Sequence, residues 1–169
     1  QCRRQRQMCI RDRYTINEND FSFKIGKNKI QFHVVFNIIH GTPGEDGLIQ
    51  KYFDRINIPY TGPNSNNARI TFNKNECIDF AKNLGISCAK SIFISNNQEV
   101  DFNIFSEMQF PLFVKTNNSG SSFGVTKVKN KEQLKTNIEN LIGLGNGVLV
   151  EETLNLSLIH ISEPTRLDH

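Results

Sequence analysis

Val34-Val-Phe-Asn-Ile-Ile-His40, followed by Gly41-Thr-Pro-Gly44, is the stretch on which the fold turns. The run is almost continuously apolar, as expected of a strand covered on both faces in a parallel sheet. The glycine–proline break ends it. Downstream, Leu48, Ile49, Tyr52, Phe53 and Ile56 recur at helical spacing and form one apolar stripe. Glu45 and Asp46 then fall in the first turn of that helix, where carboxylates meet the positive end of the dipole. Ile58-Pro-Tyr-Thr-Gly62 reads as a second short strand. Strand, glycine turn, helix and strand make a βαβ unit.

Upstream, Phe21 to Phe32 reads as a β-hairpin turning at Gly26-Lys27-Asn28. Downstream, a Pro/Asn/Ser-rich patch from Pro63 to Asn67 marks a boundary. Asn73 opens a second helix, with Glu76 in capping-box position and Gly85 as its stop. Cys77, Phe80, Ala81 and Leu84 are its expected buried face. Ser91–Ser95 reads as a strand and Phe102–Met108 as a short helix. Leu112–Lys115 pairs with Gly124–Val128. Lys131–Ile142 is a helix with Leu134, Ile138, Leu141 and Ile142 inward, and Gly147–Glu151 is a last strand. The fold class is therefore α/β followed by α+β with an antiparallel sheet.

The two ends distort the composition. Arg3–Arg13 is arginine-rich and lacks the apolar region of a secretory signal. It resembles translated sequencing-adapter sequence, and Leu156–Arg166 resembles the adapter of the other end. The expected organisation is a tail over 1–13, a first domain over 14–65, a second over 66–155 and a tail over 156–169. The chain carries 20 Lys+Arg and 17 Asp+Glu; the tails hold six and three of these, leaving 14 of each. The net charge of +3 belongs to the tails, so nothing favours nucleic acid or an anionic membrane as partner. Cys77 and Cys88, without CxxC or histidine spacing, form neither a zinc site nor a disulfide framework. No apolar run reaches the roughly 18 residues needed to span a bilayer. The sequence reads as reduced, soluble and cytoplasmic.

Asn117-Asn-Ser-Gly-Ser-Ser-Phe-Gly124 bridges two strands. Small residues let backbone N–H groups approach a phosphate, and hydroxyls add donors. The loop lacks the ending of a Walker A motif and opens no helix, so a solvated hairpin loop is the competing reading. Lys115 ends a strand just before it. Lys74 opens a helix, where the dipole disfavours a cation by roughly 0.3–1 kcal/mol; an anionic ligand would offset that cost. Taken alone, each lysine reads first as an ordinary surface residue. Glu151 and Glu152 end the last strand, as nucleotide acceptors or as solubilising edge charges. His40 sits at the carboxyl end of the expected parallel strand, where α/β sheets bind ligands; the alternative is a satisfied, partly buried histidine.

His40-Gly-Thr-Pro-Gly-Glu-Asp-Gly47, Ile58-Pro-Tyr-Thr-Gly62, Thr71-Phe-Asn-Lys74, Phe113-Val-Lys115, Gly120-Ser-Ser-Phe-Gly124 and Val148-Leu-Val-Glu151 occur in the order and spacing of one family. Together they resemble the D-alanine–D-alanine ligases of the ATP-grasp superfamily. The resemblance implies a partial Rossmann-like pre-ATP-grasp domain, then the small central ATP-grasp subdomain, with the C-terminal ATP-grasp domain missing from this fragment. It implies that Lys74 and Lys115 bind ATP phosphates. Gly120, Ser121, Ser122 and Gly124 would form the loop over them, and Glu151, Glu152 and Leu154 would line the adenine site. His40 and Ser121 would lie near the first D-alanine. ATP would phosphorylate one D-alanine carboxylate, and the amine of a second would attack the acyl phosphate, for peptidoglycan precursor synthesis. Magnesium (or manganese) would be held by residues of the missing domain, and the parent enzyme would be a homodimer. Thr116 departs from the family, which usually has proline there. The alternatives are a D-alanine–D-lactate ligase, another ATP-grasp carboxylate–amine ligase, or a non-catalytic nucleotide-binding module. The His40–Gly47 segment argues against the second of these.

Overall fold

The computed structural model describes residues 14–97, 99–120 and 124–154. The two adapter-like tails lie outside the described residues, as do Ser121 and Ser122. The chain forms two units that divide between Arg69 and Ile70.

In the first unit, β1 (Phe23–Ile25) and β2 (Asn28–Ile30) form the expected antiparallel hairpin. Asn28 belongs to the returning strand, so Gly26 and Lys27 alone turn. The Asp20 carboxylate accepts from Ser22 Oγ at 2.6 Å and pairs with Lys29 Nζ at 2.6 Å across the hairpin base. These partners, Lys29 foremost, lower its pKa to about 2. Helix α1 spans Leu48–Arg55 and buries Phe53 completely. The Phe53 ring meets Phe21 edge-on at 5.0 Å and Tyr60 at 5.8 Å, making an aromatic centre for the unit.

Two expectations for this unit are corrected. Val34–His40 and Ile58–Gly62 are not regular strands. Their pairing shrinks to one parallel bridge, Val35 with Tyr60. Val35 N–H donates to Pro59 O, and Thr61 N–H to Val35 O. Pro59 has no N–H to continue the ladder. Asn37 N–H turns instead to Thr61 Oγ1, and Ile39 N–H to Asn37 Oδ1. Phe36 and Ile38, expected to be covered, are 73% and 77% exposed. Glu45 and Asp46 precede α1 rather than entering it, since Gly47 is its N-cap. Asp46 Oδ1 accepts from Leu48 N–H, while Glu45 turns back to His40 and Gly41. The polar patch read as a boundary begins helix α2 (Ser65–Phe72), with Asn64 Oδ1 accepting from Asn67 N–H as its cap, and the two units divide within that helix.

The second unit is a four-stranded antiparallel sheet. Its strands are β3 (Ser91–Ile94), β4 (Leu112–Thr116), β5 (Val125–Val128) and β6 (Val148–Glu152), in the order β3-β6-β4-β5. Leu112, Val114, Val148 and Val150 alternate inward from the two central strands. They pack with Leu134 and Ile138 of helix α4 (Lys131–Leu141). Each such side chain contributes about 1.5–3 kcal/mol relative to exposure. A 3₁₀ turn at Phe102–Phe105 replaces the helix expected to run to Met108.

Helix α3 (Lys74–Asn83) has the expected cap: Asn73 Oδ1 accepts from Glu76 N–H at 3.0 Å, while Glu76 Oε1 accepts from the Asn73 side chain, through Nδ2, at 3.0 Å. Its expected buried face is not buried. No α3 residue is, and Phe80 is 53% exposed. The helix is instead fastened by polar bonds at its N-terminus. No helix among the described residues is long and apolar enough to cross a membrane.

Candidate functional site

The site grows from the end of β4. Lys115 stands one residue before the strand ends, opposite Leu149 of β6, while Glu151 of β6 lies opposite Phe113. The strand period of two therefore puts Lys115 and Glu151 on one face, diagonal to one another, and away from the face that α4 covers. Lys115 Nζ pairs with Glu151 Oε2, with side chains only 21% and 15% exposed. Partial burial strengthens this pair beyond an ordinary surface one.

Lys74 arrives from the first position of α3. Its Nζ donates to Thr116 O at 2.9 Å, Asn117 O at 3.2 Å, Ser119 O at 2.8 Å and Ser119 Oγ at 3.1 Å. An ammonium has three N–H donors, so these four acceptors saturate it. Thr116 Oγ1 donates to Ser119 Oγ at 2.7 Å, closing the base of the loop. Burial lowers the Lys74 pKa, the Lys115 charge lowers it further, and the Glu151 carboxylate acts against both. Two cations thus share one neighbourhood with one carboxylate. That arrangement favours a polyanion and is poorly explained as two independent surface lysines.

Gly120 borders the described part of the loop, and Gly124 rejoins it at β5 with φ +68°. Ser121 and Ser122 lie outside the described residues. Glu152 is opposite Leu112, on the other face of the sheet from Glu151, and its N–H donates to Lys90 O. Leu154, past the strand end, is 55% exposed. His40 belongs to the first unit, where its exposed ring meets Glu45 Oε1 through Nδ1 at 3.1 Å. Glu45 Oε2 accepts Gly41 N–H at 2.7 Å, so one carboxylate fixes the turn and orients the imidazole. Among the described residues no three His, Cys, Asp or Glu gather as a metal site.

Sequence reasoning misses Asn117. In sequence it is only the start of a polar loop, yet it is 1% exposed and hydrogen-bonded on every side. Nothing in its sequence context distinguishes it from neighbouring Asn118. The bridge between Asn73 and Asn118 and the bonds of Asn117 to Asn73 and Asn75, all long-range features, bring the two segments together.

Two family models match the chain: "D-ala D-ala ligase N-terminus" over residues 3–63 and "D-ala D-ala ligase C-terminus" over residues 80–162. These ranges run past the limits 14 and 155 expected for the native sequence. A D-alanine–D-alanine ligase of Azobacteroides pseudotrichonymphae is 44% identical over 140 residues, covering 82% of this chain and 43% of the relative. Among solved structures, the VanG D-Ala:D-Ser ligase of Enterococcus faecalis superposes with a TM-score of 0.73 at 32% identity, covering 84% of this chain and 43% of that one. The D-alanine–D-alanine ligase of Bacillus anthracis complexed with ATP gives 0.67 at 27% identity, covering 73% and 41%. The chain thus spans less than half the length of the curated relatives it matches.

Proposed function

Because this chain belongs to the D-alanine–D-alanine ligase family, we propose that it forms part of an ATP-dependent ligase that joins two D-alanines through an acyl phosphate, for peptidoglycan precursors. The observation that carries the reading is the gathering of Lys74 and Lys115 about a single carboxylate, Glu151. In the proposal both ammonium groups face the phosphates of ATP. Lys115 stays anchored by Glu151, while Lys74 stays tied to the carbonyls at the loop base. Gly120, Ser121, Ser122 and Gly124 supply the loop beside the phosphates. Glu151, Glu152 and Leu154 border the adenine, with Glu152 contributing main chain, since its side chain lies on the opposite face. His40, oriented by Glu45, and Ser121 serve the first D-alanine.

ATP supplies the phosphoryl group that activates the carboxylate; these residues bind, orient and screen charge. Magnesium finds no ligand set among the described residues, so no step of this reading passes through it. We extend the proposal to a homodimeric, cytoplasmic parent enzyme, and to a chain that does not turn over by itself. The VanG neighbour supports offering D-serine, as well as D-alanine and D-lactate, as second substrate in assays of the longer gene product.

Calorimetric titration of the chain with ATP tests the core of the proposal. Saturable binding that Lys115→Ala weakens by about tenfold or more is expected, the loss of one charge-assisted contact. Binding unchanged by Lys115→Ala would remove the phosphate assignment. D-Alanyl-D-alanine made by the chain above the Lys115→Ala background would overturn its inactivity.

A further inference from the structure

Two like charges do not gather without something to hold them. Lys115 is held by the Glu151 carboxylate. Among the described residues Lys74 donates only to neutral acceptors; the Lys115 charge opposes it, and the Glu151 charge offsets part of that. The residues on both sides of Lys74 are bound by one buried amide. Asn117 Oδ1 accepts from Asn75 N–H at 2.9 Å, and Asn117 Nδ2 donates to Asn73 Oδ1 at 3.0 Å. The main chain of Asn117 completes the clamp: its carbonyl accepts both Lys74 N–H and Lys74 Nζ, at 3.2 Å each. Asn117 is itself fixed, since its N–H donates to Gly147 O at 2.9 Å and its Nδ2 reaches Asn146 O at 3.4 Å.

We propose that Asn117 is a positioning residue, whose buried amide grips the Asn73 side chain and the Asn75 main chain on either side of Lys74 and so holds that ammonium against the end of β4, beside Lys115. The amide donates and accepts at once, and no other side chain of its size does both in this geometry. Aspartate lacks the donor, leucine lacks both, and glutamine is a methylene too long for a packed site. The site is thereby organised before any ligand arrives. A polyanion then meets two ammonium groups already placed, rather than recruiting a flexible lysine at an entropic cost. This last consequence rests on the nucleotide reading; the placement of Lys74 does not.

The test uses the whole chain with Asn117→Ala, with Asn73→Ser, and with Ile138→Val as a control that loosens the core without touching the clamp. Asn73→Ser keeps a helix cap but shortens the reach to Asn117, and serves alone if Asn117→Ala does not fold. The pH dependence of lysine modification, read by mass spectrometry, gives midpoints for Lys74 and for exposed Lys82. In the parent chain the Lys74 midpoint is expected below that of Lys82. In the clamp variants it moves up toward Lys82, and ATP affinity falls by about tenfold. Ile138→Val moves neither. A Lys74 midpoint equal to that of Lys82 in the parent chain overturns the proposal. So does a midpoint unmoved in a folded clamp variant, or one moved equally by Ile138→Val. If the parent chain binds no ATP, the nucleotide reading fails while the midpoints still decide the role of Asn117.

Discussion

Replacing Lys115 with methionine keeps the aliphatic stem and removes the charge, leaving Glu151 without its partner. A fully exposed ion pair is worth about 0.2–1 kcal/mol, and breaking a buried one costs about 3–5 kcal/mol. With side chains 21% and 15% exposed, this pair lies between those limits. The Lys74 charge also acts on Glu151 and compensates part of the loss. Lys115→Met should therefore cost about 1–2 kcal/mol of stability, between the exposed and buried ranges. Glu151→Gln should cost a similar amount, because the ammonium of Lys115 is then left largely buried. The double variant should cost less than the sum, with a coupling of about 1–2 kcal/mol. For a chain of this size 1 kcal/mol shifts the melting temperature by about 2–4 °C. Thermal melts of the four proteins, checked for coincidence of two spectroscopic probes because two units are present, read this directly. A coupling below about 0.5 kcal/mol would reduce the pair to an ordinary surface contact and refute the claim that burial strengthens it.

Gly147 takes φ +101°, and a Cβ there would stand 2.5 Å from Ile94 O and 2.5 Å from the Phe93 ring; Gly147→Ala should lose at least about 2 kcal/mol by denaturant melt, and a loss under about 1 kcal/mol would show the β3–β6 contact to be loose. Ile138 is wholly buried, and Ile138→Ala should cost about 2–5 kcal/mol, so a near-neutral result would contradict the packing of α4. The Lys74 pKa lies below its ordinary value in the fold, so in the window just below about 10.5 the unfolded chain binds more protons and stability rises with pH. Lys74→Met should flatten that rise, and urea midpoints measured across the window should show it. Asp20, at about 2 in the fold against 3.8 for an unperturbed aspartate, adds stability above the higher figure that is lost as pH falls toward the lower. Asp20→Asn should therefore make acid unfolding less steep in that interval, as melts at stepped pH would report.

How much of the structure is legible in the sequence depends on how far each signal reaches along the chain. The second unit is legible because its patterns are local: alternation in Leu112–Thr116, the cap pair Asn73 and Glu76, and the stripe Leu134, Ile138 and Leu141. The first unit is less so. An apolar run such as Val34–His40 states only that the segment suits a sheet interior. Whether a ladder forms depends on partners, and Pro59 leaves the segment that bridges to Val35 short of a donor. Helix α2 is hidden because asparagine favours turns over helix interiors, while Asn64 acting as a cap turns the same bias into a start signal. At the site, Lys74 and Lys115 are legible as charges in unusual places. Their meeting is not, because it depends on an amide at position 117 bonded to positions 73 and 75, over 40 residues away.

The register of β4 against β6 joins the core to the site. With Leu112 opposite Glu152 and Phe113 opposite Glu151, Val114 and Val150 face α4, and Lys115 and Glu151 share the other side. A slip of one residue would exchange the faces, carrying Lys115 into the apolar layer and Val114 out of it. Burying an unpaired ammonium there would cost several kcal/mol, so the packing of Val114, Val150 and Ile138 enforces the placement of the charges. Lys74 has no share in that register. It reaches the same spot from a helix with no buried residue, and its position depends on hydrogen bonds rather than on apolar packing. Core substitutions should therefore weaken the fold and leave Lys115 beside Glu151 until unfolding. Substitutions around Asn117 should displace Lys74 while the sheet stands.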